Sequence, residues 1–101
     1  MKKWKLRFTP EAARLLSKIH PENKKYIKKA LKELRQNPYT GKDLQEELFG
    51  FNSLRIKKYR IIYDIREDEY LLRIYYIGQR NDVYQQFRQM LAGLQKAPPM
   101  V

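Results

Sequence analysis

Hydrophobic and polar side chains alternate through residues 54–65, Leu54-Arg55-Ile56-Lys57-Lys58-Tyr59-Arg60-Ile61-Ile62-Tyr63-Asp64-Ile65. This period of two predicts β-structure with two unlike faces. From Lys58 onward, Tyr59, Ile61, Tyr63 and Ile65 are expected on one face and Lys58, Arg60, Ile62 and Asp64 on the other. Just before, Leu54 and Ile56 oppose Arg55 and Lys57. Burying the apolar face under helices would display Arg55, Lys57 and Arg60 on the opposite surface of the sheet, a rigid cationic face suited to a polyanion.

The flanking segments supply those helices. Residues 3–8 alternate basic and large apolar side chains, which predicts a half-buried strand. Thr9-Pro10-Glu11 then has the form of a helix start, with a hydroxyl N-cap, proline at the first helical position and an acid in the first turn. Ala12, Leu15, Leu16 and Ile19 form its apolar stripe. His20-Pro21-Glu22 starts a second helix expected to run to about Asn37, where Pro38 stops it. Ile27, Ala30 or Leu31, and Leu34 make its buried stripe, and Lys24, Lys25, Lys28, Lys29 and Lys32 its polar face. Two helices joined this closely form a hairpin able to cover one sheet face.

Residues 38–50 are the least regular, with Tyr39-Thr40-Gly41 expected as a turn. Arg66-Glu67-Asp68-Glu69 reads as a polar hairpin turn. Tyr70 to Ile77 is apolar on both faces, the mark of a central strand. Gly78 to Asp82 is expected to break that strand and cap a last helix from Asp82 to about Leu94, with Val83, Phe87, Met90, Leu91 and Leu94 as its stripe. Residues 95–101 read as a frayed tail. The order strand, two helices, three strands, helix predicts an α+β fold: a small, mainly antiparallel sheet packed by an N-terminal strand and helical hairpin, with a C-terminal helix.

Composition bounds what this fold can be. A chain of 101 residues, 43% hydrophobic, supports one domain spanning 1–101 with one core. With no cysteine, disulfides, thiol nucleophiles and thiolate metal sites are excluded. The basic opening lacks the apolar run of a signal peptide, and no segment approaches the ~20 apolar residues of a membrane span. A cytoplasmic protein without a membrane association is therefore expected. Charge changes the picture most: 22 Lys and Arg against 11 Asp and Glu give +11. Such a field attracts nucleic acid, an acidic protein, or both.

The element order resembles the RelE/ParE toxin superfamily of toxin–antitoxin systems. Two stretches carry the resemblance: Arg55-Ile56-Lys57-Lys58-Tyr59-Arg60-Ile61-Ile62-Tyr63, and Ile77-Gly78-Gln79-Arg80-Asn81-Asp82-Val83-Tyr84. It covers nearly the whole chain. The RelE branch implies cleavage of mRNA in the ribosomal A site, and the ParE branch implies poisoning of DNA gyrase on the same fold. Both imply an antitoxin partner, which a +11 surface requires to be acidic. By the same resemblance, Arg60 matches the arginine of a Tyr-Arg motif, Arg80 the arginine after the last strand, Tyr84 the tyrosine kept near the scissile phosphate, and Arg55 a frequent strand arginine. The two lysines of RelE nucleases have no direct counterpart. Ungapped alignment puts Phe51 and Ser53 in their places, and only a shorter hairpin gives those places to Arg55 and Lys57. Gln79 stands where a basic residue is frequent.

Metal-free RNA cleavage by the 2′-OH needs a base, positive charge on the phosphorane and stabilisation of the leaving oxygen. Tyr84 can serve as the base, Arg60 and Arg80 as planar donors to the non-bridging oxygens, and Lys57 or Arg55 at the leaving group. Simpler roles stand beside these. Arg60 can pair with Asp64 along its strand face, Tyr84 can pack its ring in the core, and the lysines of the second helix can form a solvated face. If functional, those lysines and Lys58 would contact mRNA or rRNA phosphates without sequence specificity. A lone His20 excludes a two-histidine ribonuclease, and Glu67, Asp68 and Glu69 on a turn suit solubility better than metal ligation, so no cofactor or metal is expected. The rival readings are a gyrase inhibitor and a non-catalytic RNA- or ribosome-binding protein.

Overall fold

The computed structural model describes residues 3–79 and 83–96. Its elements are β1 (Lys5–Phe8), α1 (Pro10–Ser17), α2 (Pro21–Gln36), β2 (Lys42–Asp43), β3 (Asn52–Ile56), β4 (Tyr59–Arg66), β5 (Leu71–Gln79) and α3 (Val83–Lys96). Short 3₁₀ turns occupy Pro38–Thr40, Glu46–Leu48 and Glu67–Glu69. The strands form a five-stranded sheet in the order β1-β5-β4-β3-β2. β1 runs parallel to β5, and every other pairing is antiparallel.

Both helix starts in the hairpin follow from their caps. Thr9 Oγ1 accepts the Ala12 N–H at 3.1 Å and His20 Nδ1 accepts the Glu22 N–H at 3.2 Å, each satisfying a donor the helix leaves free. The hairpin buries Ala12, Ile27, Leu31 and Leu34 against Tyr59, Ile61, Tyr63, Leu72, Ile74 and Ile77. The opposite sheet face is also covered. There α3 and the segment after β2 pack Val83, Phe87, Leu44 and Leu48 on Ile62 and Tyr76. The cationic face expected to lie open is therefore exposed only toward the β3–β4 hairpin end.

A register slip lets β5 serve both layers. Ile62 pairs with Tyr76 but Tyr63 pairs with Ile74, leaving Tyr75 as the extra residue of a bulge. Tyr75 and Tyr76 both join the α3-side cluster, and Phe51 stacks edge-on against Tyr75 and Phe87 at centroid distances of 5.0 Å.

Three expectations are corrected. The irregular stretch contains a strand, β2, too short to show a period. Gly78 does not break the last strand: β5 continues to Gln79, with Gly78 paired to Arg60. The last helix continues to Lys96, past Leu94. Its expected cap Asp82 and the tail from 97 lie outside the described residues. Among the described residues, no helix is long and apolar enough to cross a membrane.

Candidate active site

The hairpin joining β3 to β4 has a two-residue turn, Lys57-Lys58, in which Lys57 adopts φ +52°. This turn sets Arg55 directly opposite Arg60. Like charges paired across a ladder oppose folding, so the pairing is an energetic cost kept in the fold. Arg60 faces Gly78 on its other side. A Cβ there would lie 3.0 Å from Tyr76 Cε1 and 3.4 Å from Val83 Cγ2, at the start of α3.

Tyr84 reaches this point from the first turn of α3, where buried Val83 fixes the helix against the sheet. The Tyr84 hydroxyl accepts from Arg60 Nη1 at 3.0 Å and donates to Ser53 Oγ at 3.0 Å. The Arg60 guanidinium carbon lies 5.2 Å from the Tyr84 ring centroid. Arg60 Nε is buried and, among the described residues, has no hydrogen-bond partner. The guanidinium as a whole is half-buried, and set beside a phenol and a second arginine it is a group that can donate to a phosphate oxygen.

The simpler role for Arg60 does not hold, because Asp64 is taken by Arg73. Arg73 Nε donates to Asp64 Oδ1 at 2.8 Å, a second bond joins Arg73 Nη2 to Asp64 Oδ2, and the Tyr75 hydroxyl donates to Asp64 Oδ2 at 3.1 Å. The hydrogen bond to Asp64 raises the Arg73 pKa, and burial, followed by the Asp64 charge, raises that of Tyr75. For Tyr84 the simpler role holds, the ring packing on the α3-side cluster, and the hydroxyl is left to meet Arg60.

The predicted site residues are only partly brought together. Arg55, Arg60 and Tyr84 share one surface. Lys57 does not join them: its positive φ turns it out of the strand alternation, and its Nζ lies 4.3 Å from the ring centroid of Tyr26 on α2. Lys58 lies in the same turn, exposed, with Nζ 5.8 Å from the Tyr59 ring centroid. Lys25, Lys28, Lys29 and Lys32 are exposed and Lys24 half-exposed on α2, which packs on the other face of the sheet. Arg80 lies outside the described residues. Ser53, which had no chemical role in the sequence reading, is the acceptor that completes the Tyr84 contact; its spacing of two from Arg55 is the signal that both share a face. Among the described residues there is no group of three or more His, Cys, Asp or Glu side chains able to hold a metal ion.

Residues 6–84 match the family model described as the ParE toxin of the type II toxin–antitoxin system parDE. A chain of the toxin–antitoxin complex RelBE2 from Mycobacterium tuberculosis is similar at 31% identity and a TM-score of 0.72, with 77% of this chain and 99% of that chain covered. The isolated RelE toxin of E. coli shares the fold at 18% identity and a TM-score of 0.67, with 87% and 98% covered. So does the YoeB/ParE toxin from Agrobacterium tumefaciens, at 15% identity and a TM-score of 0.66, with 75% and 98% covered. No curated protein matches significantly by sequence.

Proposed function

The chain belongs to the RelE/ParE superfamily of type II toxin–antitoxin toxins, and we propose that within it this protein is a ribosome-dependent mRNA interferase. The observation that carries this reading is the Arg60–Tyr84 contact with Arg55 set opposite Arg60. A gyrase poison has no need of a phenol hydroxyl held against paired arginines, whereas phosphodiester chemistry does.

In this reading the 2′-OH of the A-site nucleotide attacks the adjacent phosphorus, the bond to the 5′-oxygen breaks, and a 2′,3′-cyclic phosphate and a 5′-hydroxyl result. Tyr84 reacts in its deprotonated form and takes the 2′-hydroxyl proton, Arg60 donates to a non-bridging oxygen whose charge grows in the phosphorane, and the departing 5′-oxygen takes a proton from water. Arg55 lies one strand away to neutralise the leaving oxygen. Arg80, next in sequence after β5, supplies a further guanidinium by the family resemblance. The ribosome presents the mRNA strained and in line, so free RNA is not cut.

The same reading includes an acidic antitoxin. Solved relatives include toxin–antitoxin complexes, and this chain has a surface suited to such a partner. A groove of about 400 Å³ between β1 and the helical hairpin has Leu6, Phe8, Leu16 and Leu31 as its floor and Lys28 and Lys32 on its rim. An amphipathic acidic segment that folds on binding matches both.

The deciding experiment is cell-free translation of a defined mRNA, read by primer extension. New 5′ ends at the A site that vanish without ribosomes support the proposal. Full-length mRNA with undiminished translation overturns it. A ParE-like reading is favoured by the family model's description, and arrested supercoiling by gyrase with intact mRNA would identify it.

A further inference from the structure

Lys42 is a further cation that the register places on the sheet face reached by the Tyr84 hydroxyl. β2 pairs with β3 so that Lys42 stands opposite Ser53, and antiparallel partners project to the same face about 5 Å apart. Ser53 Oγ is the acceptor for Tyr84, so Lys42 belongs to the site face. Independently, a pocket of about 230 Å³ between β2 and α3 is lined by Lys42, Asp43 and Gln45 on one side and Tyr84 and Arg88 on the other, with Leu44 and Leu48 between. It is smaller than the ~300–1,000 Å³ of drug-sized sites and suits a single nucleotide unit.

The acids around this pocket make other contacts, although Asp43, bonded to a neutral amide, still lines it as a carboxylate. Asp43 Oδ1 accepts from Asn52 Nδ2, and Glu47 pairs with Arg88 at 3.5 Å. Among the described residues, Lys42 enters no ion pair. Its backbone is also held on both sides. Before it, the Tyr63 hydroxyl donates to the Pro38 carbonyl at 2.8 Å beneath Gly41. After it, the Leu44 N–H donates to the Phe51 carbonyl at 3.0 Å. A lysine on a two-residue edge strand is ordinarily mobile. Here its attachment is rigid, as a substrate-positioning group requires.

We infer that the pocket between β2 and α3 seats the RNA nucleotide next to the scissile phosphate, with the Lys42 ammonium on a phosphate oxygen. Arg60 and Lys42 then hold the backbone from β4 and β2, on the two sides of the β3 strand that carries Ser53. The inference rests on the interferase reading, and its test separates the two.

Single-turnover cleavage on programmed ribosomes is compared for wild type, Lys42→Ala, Lys42→Arg and Lys5→Ala, the last an exposed lysine on the opposite edge strand. In parallel, binding of a 2′-O-methylated, uncleavable RNA oligonucleotide to the free protein is followed by fluorescence anisotropy across a salt series. The expected result is cleavage slowed roughly 10- to 100-fold by Lys42→Ala, the worth of one hydrogen bond to a charged group. Lys42→Arg restores most of the rate, and Lys5→Ala keeps the wild-type rate. The salt slope for Lys42→Ala falls by about 0.7, one single-strand phosphate contact. Where wild type cleaves, the rate decides: a Lys42→Ala protein as fast as wild type overturns the inference and leaves the interferase reading standing. Where wild type does not cleave, that reading falls and the slope decides. A fall of about 0.7 keeps Lys42 as an RNA contact, and an unchanged slope overturns it.

Discussion

Arg55 and Arg60 face each other across the β3–β4 hairpin, and among the described residues neither enters an ion pair. Repulsion of this kind is tolerated where an anion is to be bound. Removing one charge should therefore uncouple stability from function. Arg55→Gln is expected to unfold at the same temperature as wild type or slightly higher, a gain of up to about 0.5 kcal/mol from relieved repulsion, while its A-site cleavage falls. Thermal unfolding and primer extension on the same preparation check both halves. A lower melting temperature with full cleavage would mean that Arg55 is a structural residue.

Tyr84→Phe is the cleanest separation of chemistry from packing, because the ring's place on the α3-side cluster is kept and only the hydroxyl is lost. Two hydrogen bonds disappear, to Arg60 and Ser53, at a cost of about 1–3 kcal/mol. Cleavage should drop by roughly 10²- to 10⁴-fold, the range for a lost acid–base group. Arg60→Lys should not rescue Arg60→Ala, since an ammonium cannot supply both the Nη1 bond to Tyr84 and a second N–H to phosphate in one plane. Single-turnover rates of these folded variants decide; a Tyr84→Phe variant within a few-fold of wild type removes Tyr84 from the proposed chemistry.

These residues also mark how far the sequence reaches. The hairpin helices were legible because Thr9-Pro10 and His20-Pro21 are local signals whose physics does not depend on the rest of the fold. The alternation through β4 was legible for the same reason, and it placed Arg60 correctly. It failed at Lys57, where extrapolating the period through a turn ignored a left-handed residue that swings the side chain toward Tyr26. It failed at Gly78 for the converse reason. Glycine there signals a close approach, with Tyr76 and Val83 crowding the missing Cβ, and the strand goes on. β2 was invisible because two residues have no period; only pairing with Ser53 and Asn52 makes it a strand. The covering of the arginine face by α3 is a tertiary fact, set by the bulge at Tyr75 that turns two adjacent tyrosines to the same side.

Gly41 shows a stability requirement that no local signal announces. A Cβ at this position would lie 2.3 Å from the Tyr63 hydroxyl and 3.0 Å from the Ser53 carbonyl oxygen. Tyr63 is fully buried, so its hydroxyl has nowhere to retreat. Gly41→Ala is expected to destabilise by about 1–3 kcal/mol through overpacking, and to slow cleavage by moving β2 away from Ser53. Urea unfolding measures the first; an unchanged midpoint would show that the segment 38–43 can shift without cost.

Tyr63 itself predicts how the fold responds to alkali. Its hydroxyl donates to the Pro38 carbonyl at 2.8 Å, and burial pushes its pKa up to about 12 from an ordinary value near 10. The unfolded chain therefore releases this proton at lower pH than the native one. Between the two values the native state binds more protons, so stability falls with rising pH. The contribution is complete below about pH 10 and is lost progressively as pH rises toward 12. Tyr63→Phe removes both the hydrogen bond and the titration. At pH 8 the variant should be less stable by about 1–3 kcal/mol, because the buried Pro38 carbonyl loses its donor. Lysines and other tyrosines titrate in both proteins, so the informative quantity is the gap between their melting temperatures. That gap should narrow from pH 10 to pH 12. A gap that stays constant through this range would mean that the Tyr63 phenol ionises equally in both states, and that the anchor beneath β2 is looser than the buried hydrogen bond implies.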